Sequence, residues 1–434
     1  MALPVYPTII IPGITATYLQ DEYPISPETV WSVLKKDYER VALHPDNLRY
    51  EAQEPARVAR GQVFEVAYKE LLDELRHNLA TKADLAVPVF AFGYDWRQPI
   101  EAIEEQLAVF IDEVIARTKL LKHYDKEDYA ADPKVNLVGH SMGGLIIAGY
   151  LQAHGADKLV HKVATLATPF QGSFEAVIKV TTGTADLGET APSSREREAA
   201  RLTPSLYQLL PSFDGGVDSA PGLPTSLFDP AIWQPSIIDT IKEYIRLHGL
   251  DKTDRDTQAR ALFAALLKGA ADHRKRVDGL KLGNAGLKPE DWLCVVGVGT
   301  DTRVRLKVEK VGRAPDFTFS SSDRQNLWKE TDQTKRRLTG DGTVPFEGAL
   351  PKFLKIENVV CVTPEDFGYW EVQDKLLASV AGFHGILPNM DMLHRLIVTH
   401  FSERGDKHEN IWGRTPPGVT EDTWDPPIPH LEAK

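Results

Sequence analysis

Cysteine is almost missing from this chain: only Cys294 and Cys361 occur among 434 residues. Two thiols exclude a disulfide-built scaffold. Both sit in apolar, strand-like runs, so buried free thiols are expected over a bridge. No His/Cys cluster shows metal-ligand spacing, and neither a metal nor a cofactor is expected. Long apolar runs are missing too; none approaches the roughly 18 residues that cross a bilayer. Basic charge is in short supply, with 50 Lys and Arg against 62 Asp and Glu and a net charge of −12. That balance argues against a nucleic-acid partner and against attraction to anionic lipid. Any membrane contact is expected to be transient, local and hydrophobic. The chain starts Met1-Ala2-Leu3-Pro4-Val5-Tyr6-Pro7, without a basic region or a small-residue cleavage site. A cytoplasmic location is therefore expected, with leaderless export left open. The sequence does not speak to oligomeric state.

What is present alternates. Strand-like residues 8–11, helix-like 64–79, strand-like 86–92, a helix behind Pro99, strand-like 135–138, helix-like 144–153 and strand-like 160–167 follow one another. This is the pattern of a mostly parallel sheet with helices on both faces. Ile103, Leu107, Phe110, Ile111, Val114 and Ile115 recur at helical spacing and mark one buried face. From 169 to 287 the strand signal stops, and helix-like stretches near 237–247 and 256–268 are joined by Pro-rich connectors. We read an inserted helical cap. Strand character resumes at 292–298. Val304, Leu306 and Val308 alternate with charged residues, predicting a hairpin with one wet face at a sheet edge; 358–362 is the last core strand. The expected organisation is a first core part over 1–168 with a lid-like loop at about 18–85, a mainly helical cap over 169–288, a second core part over 289–401, and a Pro-rich, charged tail over 402–434.

The strongest chemical signal is Gly139-His140-Ser141-Met142-Gly143. A Gly-x-Ser-x-Gly string alone is weak, but here an apolar strand enters it and a helix leaves it. Strand, tight turn and helix form a nucleophile elbow: Gly139 and Gly143 avoid Cβ clashes where the chain crosses itself, and Ser141 Oγ is lifted into the open. A serine hydroxyl needs a base and an orienting acid. Asp341, in Gly340-Asp341-Gly342-Thr343-Val344-Pro345, sits on a turn after sheet structure; a turn in which Asp caps its own backbone fits the residues equally well. Asp301 and Asp332 are rivals. Of thirteen histidines, His384 is best placed: after the last strand, between glycines, ahead of a helix-like run. His140 is expected to point away from the open face of the nucleophile, and His394 and His400 to be structural. For the oxyanion, backbone N–H groups of Met142 and of Ile14, in the loop after the first strand, are expected.

Taken together, Ile11-Pro12-Gly13-Ile14, Tyr94-Asp95-Trp96-Arg97, the elbow, Leu166-Ala167-Thr168-Pro169, Leu202–Pro211 and Gly340–Pro345 resemble the lecithin:cholesterol acyltransferase family of α/β-hydrolases, which includes lysosomal phospholipase A2. The resemblance implies an α/β-hydrolase fold, Ser141, Asp341 and His384 as catalytic residues, and a lipid acyl ester as substrate. It implies an acyl-enzyme whose acyl group passes to water or to an alcohol. It also gives Asp95, Trp96 and Arg97 a part in supporting the site wall, although an ion pair serving the fold alone is an equal reading. Leu206, Leu209, Leu210 and Phe213 are candidate acyl-pocket residues or cap core. The region 18–85 lacks the cysteines that staple this loop in secreted members. A ligand-binding protein on a retired hydrolase fold, and an exported phospholipase, are the further alternatives.

Overall fold

The computed structural model describes residues 5–32, 34–53, 55–80, 85–126, 129–183, 193–368, 371, 382–404 and 411–434. The first four residues, parts of the lid-like loop (33, 54, 81–84), part of the cap (184–192) and Ala381 before the candidate histidine lie outside them.

Among the described residues six strands build the central sheet: β1 (Thr8–Ile11), β2 (Val89–Ala91), β3 (Val135–His140), β4 (Val160–Leu166), β5 (Trp292–Gly297) and β6 (Val359–Val362). Their order is β6-β5-β4-β3-β1-β2, and every pairing is parallel. Strand side chains alternate between two faces, and the two faces belong to two cores. Ile9, Ile11, Leu137, Val163 and Val296 join the larger core with helix α2 (Ile100–Thr118) and helix α3 (Met142–His154). Ile10, Val138, Ala164, Val295 and Val360 join the other core with α1 (Glu65–Asn78) and α10 (Asp391–Ser402). Burial on both faces explains why these strands read as unbroken apolar runs. Each Val, Leu or Ile among them contributes roughly 1.5–3 kcal/mol of burial. Pro99 stands at the N-cap of α2, one residue ahead of its first turn. The thiols of Cys294 and Cys361 are free and buried on the adjacent strands β5 and β6.

Region 18–85 is more than a loop. Thr17–Asp21 pairs antiparallel with Glu28–Trp31 and with Val58–Val63, Leu43–His44 pairs with Asn47–Glu51, and α1 follows. Without a disulfide, one buried guanidinium ties this layer to the core. Arg97, 1% exposed, bonds Asp95 at 2.9 and 2.7 Å and Glu51 at 2.8 Å, and donates to the Val41 carbonyl. Removing one partner of a buried ion cluster strands the others without compensation. Arg97→Ala is therefore expected to lower unfolding free energy by about 3–5 kcal/mol; a urea midpoint within error of wild type would contradict this.

The stretch 169–287 contains α4 (Phe174–Thr182), α5 (Ser194–Arg201), α6 (Pro204–Gln208), α7 (Pro235–His248) and α8 (Arg255–Asp278). It also contains a strand that the sequence pattern hid, Val217–Ser219. That strand pairs parallel with Leu306–Val311, which pairs antiparallel with Ala314–Thr318. The hairpin therefore belongs to a separate three-stranded sheet and not to an edge of the central one. Alternation reported one buried face, Leu306 and Val308, but could not say what covers it. The tail is also more integrated than expected. Arg414 pairs with Asp366 at 2.7 Å, Trp424 Nε1 donates to the Val359 carbonyl, and Ile428 is 1% exposed.

His394 and His400 are buried and donate to main-chain carbonyls, Pro388 and Val163 respectively. Burial pushes the imidazole of His400 down to about 3. It is neutral in the folded chain, whereas in the unfolded chain it takes a proton below about 6.5. Its stabilising contribution is present above pH 6.5 and is lost as pH falls toward 3, by about 1.4 kcal/mol per pH unit within that window. His161, lowered to about 4 by burial and by Lys162, acts with the same sign. Melting temperature is expected to fall between pH 6.5 and 4.5, and less steeply in His400→Gln; equal slopes would refute the assignment.

Candidate active site

Backbone geometry at Ser141 follows from the crossing of strand and helix. Between β3 and α3 the residue takes φ 53° and ψ −126°, a region that costs a side-chain-bearing residue of order 1–3 kcal/mol. The surroundings admit no bulk. A Cβ on Gly143 would sit 2.2 Å from the Ile11 carbonyl oxygen, and one on Gly139 2.7 Å from the Gly144 nitrogen. Gly144, just inside α3, lies against Thr168, where a Cβ would be 2.0 Å from Oγ1.

Ser141 Oγ lies 2.9 Å from His384 Nε2, and His384 Nδ1 lies 2.7 Å from Asp341 Oδ2. His384 is carried by α9 (Phe383–Ile386), after β6. Asp341 packs on the carboxyl end of β5, where a Cβ on Gly297 would meet its Cβ at 2.6 Å. Its second oxygen, Oδ1, accepts from the N–H groups of Thr343 (2.9 Å) and Val344 (2.7 Å). Oδ1 thus caps its own turn while Oδ2 faces the imidazole of His384. The rivals are occupied elsewhere: Asp301 bonds Arg324, and Asp332 caps a short helix at Gln333–Arg336.

The loop after β1 lies against the serine: a Cβ on Gly13 would be 3.0 Å from Ser141 Cβ and 3.5 Å from Oγ. Its polar groups are tied down one by one. The Pro12 carbonyl accepts from Tyr94 Oη at 2.7 Å, Gly13 N–H donates to Tyr68 Oη at 2.9 Å, the Gly13 carbonyl accepts from Ala16 N–H, and the Thr15 carbonyl accepts from Trp31 Nε1. Ile14 N–H and Met142 N–H have no hydrogen-bond partner among the described residues. Met142 opens a 13-residue helix whose N-terminal dipole favours negative charge there.

Ser141, His384 and Ile14 open into a cavity of about 340 Å³, with walls that also include Trp31, Phe64, Trp96, Leu206 and Leu209. Its size falls in the range of small-ligand sites. Trp96 lines it and packs on Trp31 at 4.7 Å between ring centroids, while Asp95 and Arg97 form the ion cluster behind. Of the four candidate cap residues, Leu206 and Leu209 line the cavity; Leu210 is buried in the core, and Phe213 packs edge-on against Phe174. Helical spacing could not separate the two pairs.

One histidine departs from expectation. His140 does not face away: it lines the same cavity, its ring is 5.0 Å from that of His384, and its Nε2 donates to the His384 carbonyl at 3.0 Å. Burial, and then the neighbouring His384, hold its pKa well below the usual imidazole range. Tyr68, whose hydroxyl is 2.7 Å from His140 Nδ1, was not singled out by sequence at all. It lies in the charged insertion far from every motif.

Residues 56–240 match the family model of lecithin:cholesterol acyltransferase. The span contains Tyr94–Arg97, the elbow and Leu202–Pro211; Ile11–Ile14 and Gly340–Pro345 fall outside it. Phospholipase A(1) LCAT3 of Arabidopsis thaliana is 35% identical over 89 residues, covering 20% of this chain and 17% of that protein. The chain thus matches under a fifth of that relative's length. Among solved structures, one described as the Tle4–Tli4 complex aligns with a TM-score of 0.58 at 15% identity, covering 92% of this chain and 99% of that one. This likeness concerns the fold. The chain has an α/β-hydrolase fold, and over residues 56–240 it is similar to the lecithin:cholesterol acyltransferase family.

Proposed function

We propose that this chain is a serine hydrolase of lipid acyl esters. The family likeness supports a lipid-acting hydrolase or acyltransferase. The observation that carries the finer reading is the continuous relay Asp341–His384–Ser141, with contacts of 2.7 and 2.9 Å, whose Ser141 and His384 line an apolar cavity. In this reading Ser141 Oγ attacks the ester carbonyl carbon while His384 Nε2 takes its proton. Asp341, bonded to Nδ1–H, holds the tautomer that leaves Nε2 free to accept. The oxyanion rests on Ile14 and Met142 N–H groups, each such donor being worth roughly 3–4 kcal/mol in the transition state. His384 returns the proton to the departing alcohol and leaves an acyl-enzyme. Water, deprotonated by the same imidazole, then adds to the acyl carbon and releases the acid and Ser141.

Acyl transfer to an alcohol uses the same residues and is the second reading, supported by the likeness of residues 56–240 to an acyltransferase family. A panel from short soluble esters to vesicle phospholipids, with Ser141→Ala as control and a fluorophosphonate label on Ser141, tests the proposal. Labelled wild type with turnover of long acyl esters is expected. A folded chain that the probe leaves unlabelled would sink the reading and favour a ligand-binding role. Products formed with excess alcohol present separate hydrolysis from transfer.

A further inference from the structure

We propose that the Tyr68 hydroxyl is a positioning group that locks the oxyanion loop and the histidine loop to one another through His140; this rests on the serine-hydrolase reading above. Donor and acceptor roles can be assigned along the whole path. The His384 carbonyl can only accept, so His140 Nε2 carries its hydrogen. Burial keeps His140 neutral, so its Nδ1 is bare and accepts. Tyr68, buried and with its phenol pKa pushed up by that burial, keeps its hydrogen and donates it to Nδ1 at 2.7 Å. Its lone pair takes Gly13 N–H at 2.9 Å. The path Gly13 N–H to Tyr68 Oη–H to His140 Nδ1, then His140 Nε2–H to the His384 carbonyl, has one direction and no slack.

Each end lies beside a reacting group. Gly13 precedes Ile14, His140 precedes Ser141, and the final acceptor is the main chain of His384 itself. The loop after β1, the end of β3 and helix α9 are therefore joined through one phenol from helix α1. That helix is anchored on the same side, since Asn389 Nδ2 donates to the Val66 carbonyl and Arg404 to the carbonyls of Asn78 and Leu79. Displacements of about 1 Å in such loops cost on the order of 100-fold in rate. Gly13, Tyr68, His140 and His384 all line the cavity, but Tyr68→Phe removes only the hydroxyl and leaves every one of these residues in the wall, so substrate contacts are expected to be largely kept.

The test compares wild type, Tyr68→Phe and Leu71→Ala by fluorophosphonate labelling rate, by kcat and KM on one soluble ester, and by melting temperature. Leu71 is buried on the same helix but outside the network, so it reports simple loosening of α1. Tyr68→Phe is expected to lower labelling rate and kcat by about 10- to 100-fold with KM within twofold, and Leu71→Ala to lower melting temperature with labelling near wild type. Labelling of Tyr68→Phe within twofold of wild type overturns the proposal, as does an equal rate loss in Leu71→Ala. An unlabelled wild type instead overturns the serine-hydrolase reading itself and this inference with it.

Discussion

Ser141→Gly is expected to abolish ester turnover, by about 10⁴-fold or more, and yet to be more stable than Ser141→Ala. Both variants lose the hydroxyl and its bond to His384 Nε2, so that term cancels between them. At ordinary helix or strand positions glycine is the worse of the two by about 0.5–1 kcal/mol, because its unfolded chain is freer. Here the sign should reverse. With φ at 53° and ψ at −126°, alanine keeps the backbone strain and glycine has no Cβ to suffer it. A net advantage of roughly 1–2 kcal/mol for glycine follows, which for a chain this long is about 1–2 °C in melting temperature. Calorimetry of the two inactive variants checks it. If Ser141→Ala proves the more stable, the elbow is not strained; if either variant turns over ester, the hydroxyl is not the nucleophile.

Much of this site was legible because its parts are local. Val135 to Val138, the two glycines and the apolar helix behind them declare strand, turn and helix within a dozen residues, and the strain at Ser141 is a property of that short span. The central strands were equally plain, since burial on both faces leaves apolar runs at Ile9–Ile11 and Val359–Val362 that no surface strand would carry. What escaped depends on distant partners. Tyr68 looks like one apolar position on an amphipathic helix; nothing near it announces that its hydroxyl meets an imidazole 72 residues on. His140 was misplaced for the same reason: the turn sets where its backbone goes, but only the His384 carbonyl tells its ring where to point. The Leu306–Val311 hairpin showed its wet face and not its neighbour, because the strand at Val217–Ser219 is three residues long, too short for an alternating pattern.

The carboxylate offers the sharper chemical test. Asp341→Asn is expected to lower kcat by about 10³- to 10⁴-fold while the chain stays folded. An aspartate here accepts everything offered: two main-chain N–H groups on Oδ1 and the imidazole Nδ1–H on Oδ2. An amide has one accepting end, and each orientation fails differently. If its oxygen keeps the N–H groups of Thr343 and Val344, its NH₂ faces His384 Nδ1 and donates to it. The ring then carries its hydrogen on Nε2, where it donates to Ser141 Oγ instead of accepting from it, and the base is lost. If the amide is turned over, His384 keeps its tautomer but the buried N–H of Val344 and the part-buried N–H of Thr343 face an NH₂, leaving donors unsatisfied at a cost of about 1–3 kcal/mol for the buried one. The first orientation is the less costly, so the variant should be nearly as stable as wild type and inactive near neutral pH. Activity should recover in part at alkaline pH, where the substrate can be attacked by hydroxide or by a serine deprotonated without the ring. A fluorophosphonate labelling rate for Asp341→Asn equal to wild type at neutral pH would show that the imidazole needs no orienting partner, and the relay Asp341–His384–Ser141 would then lose its first link.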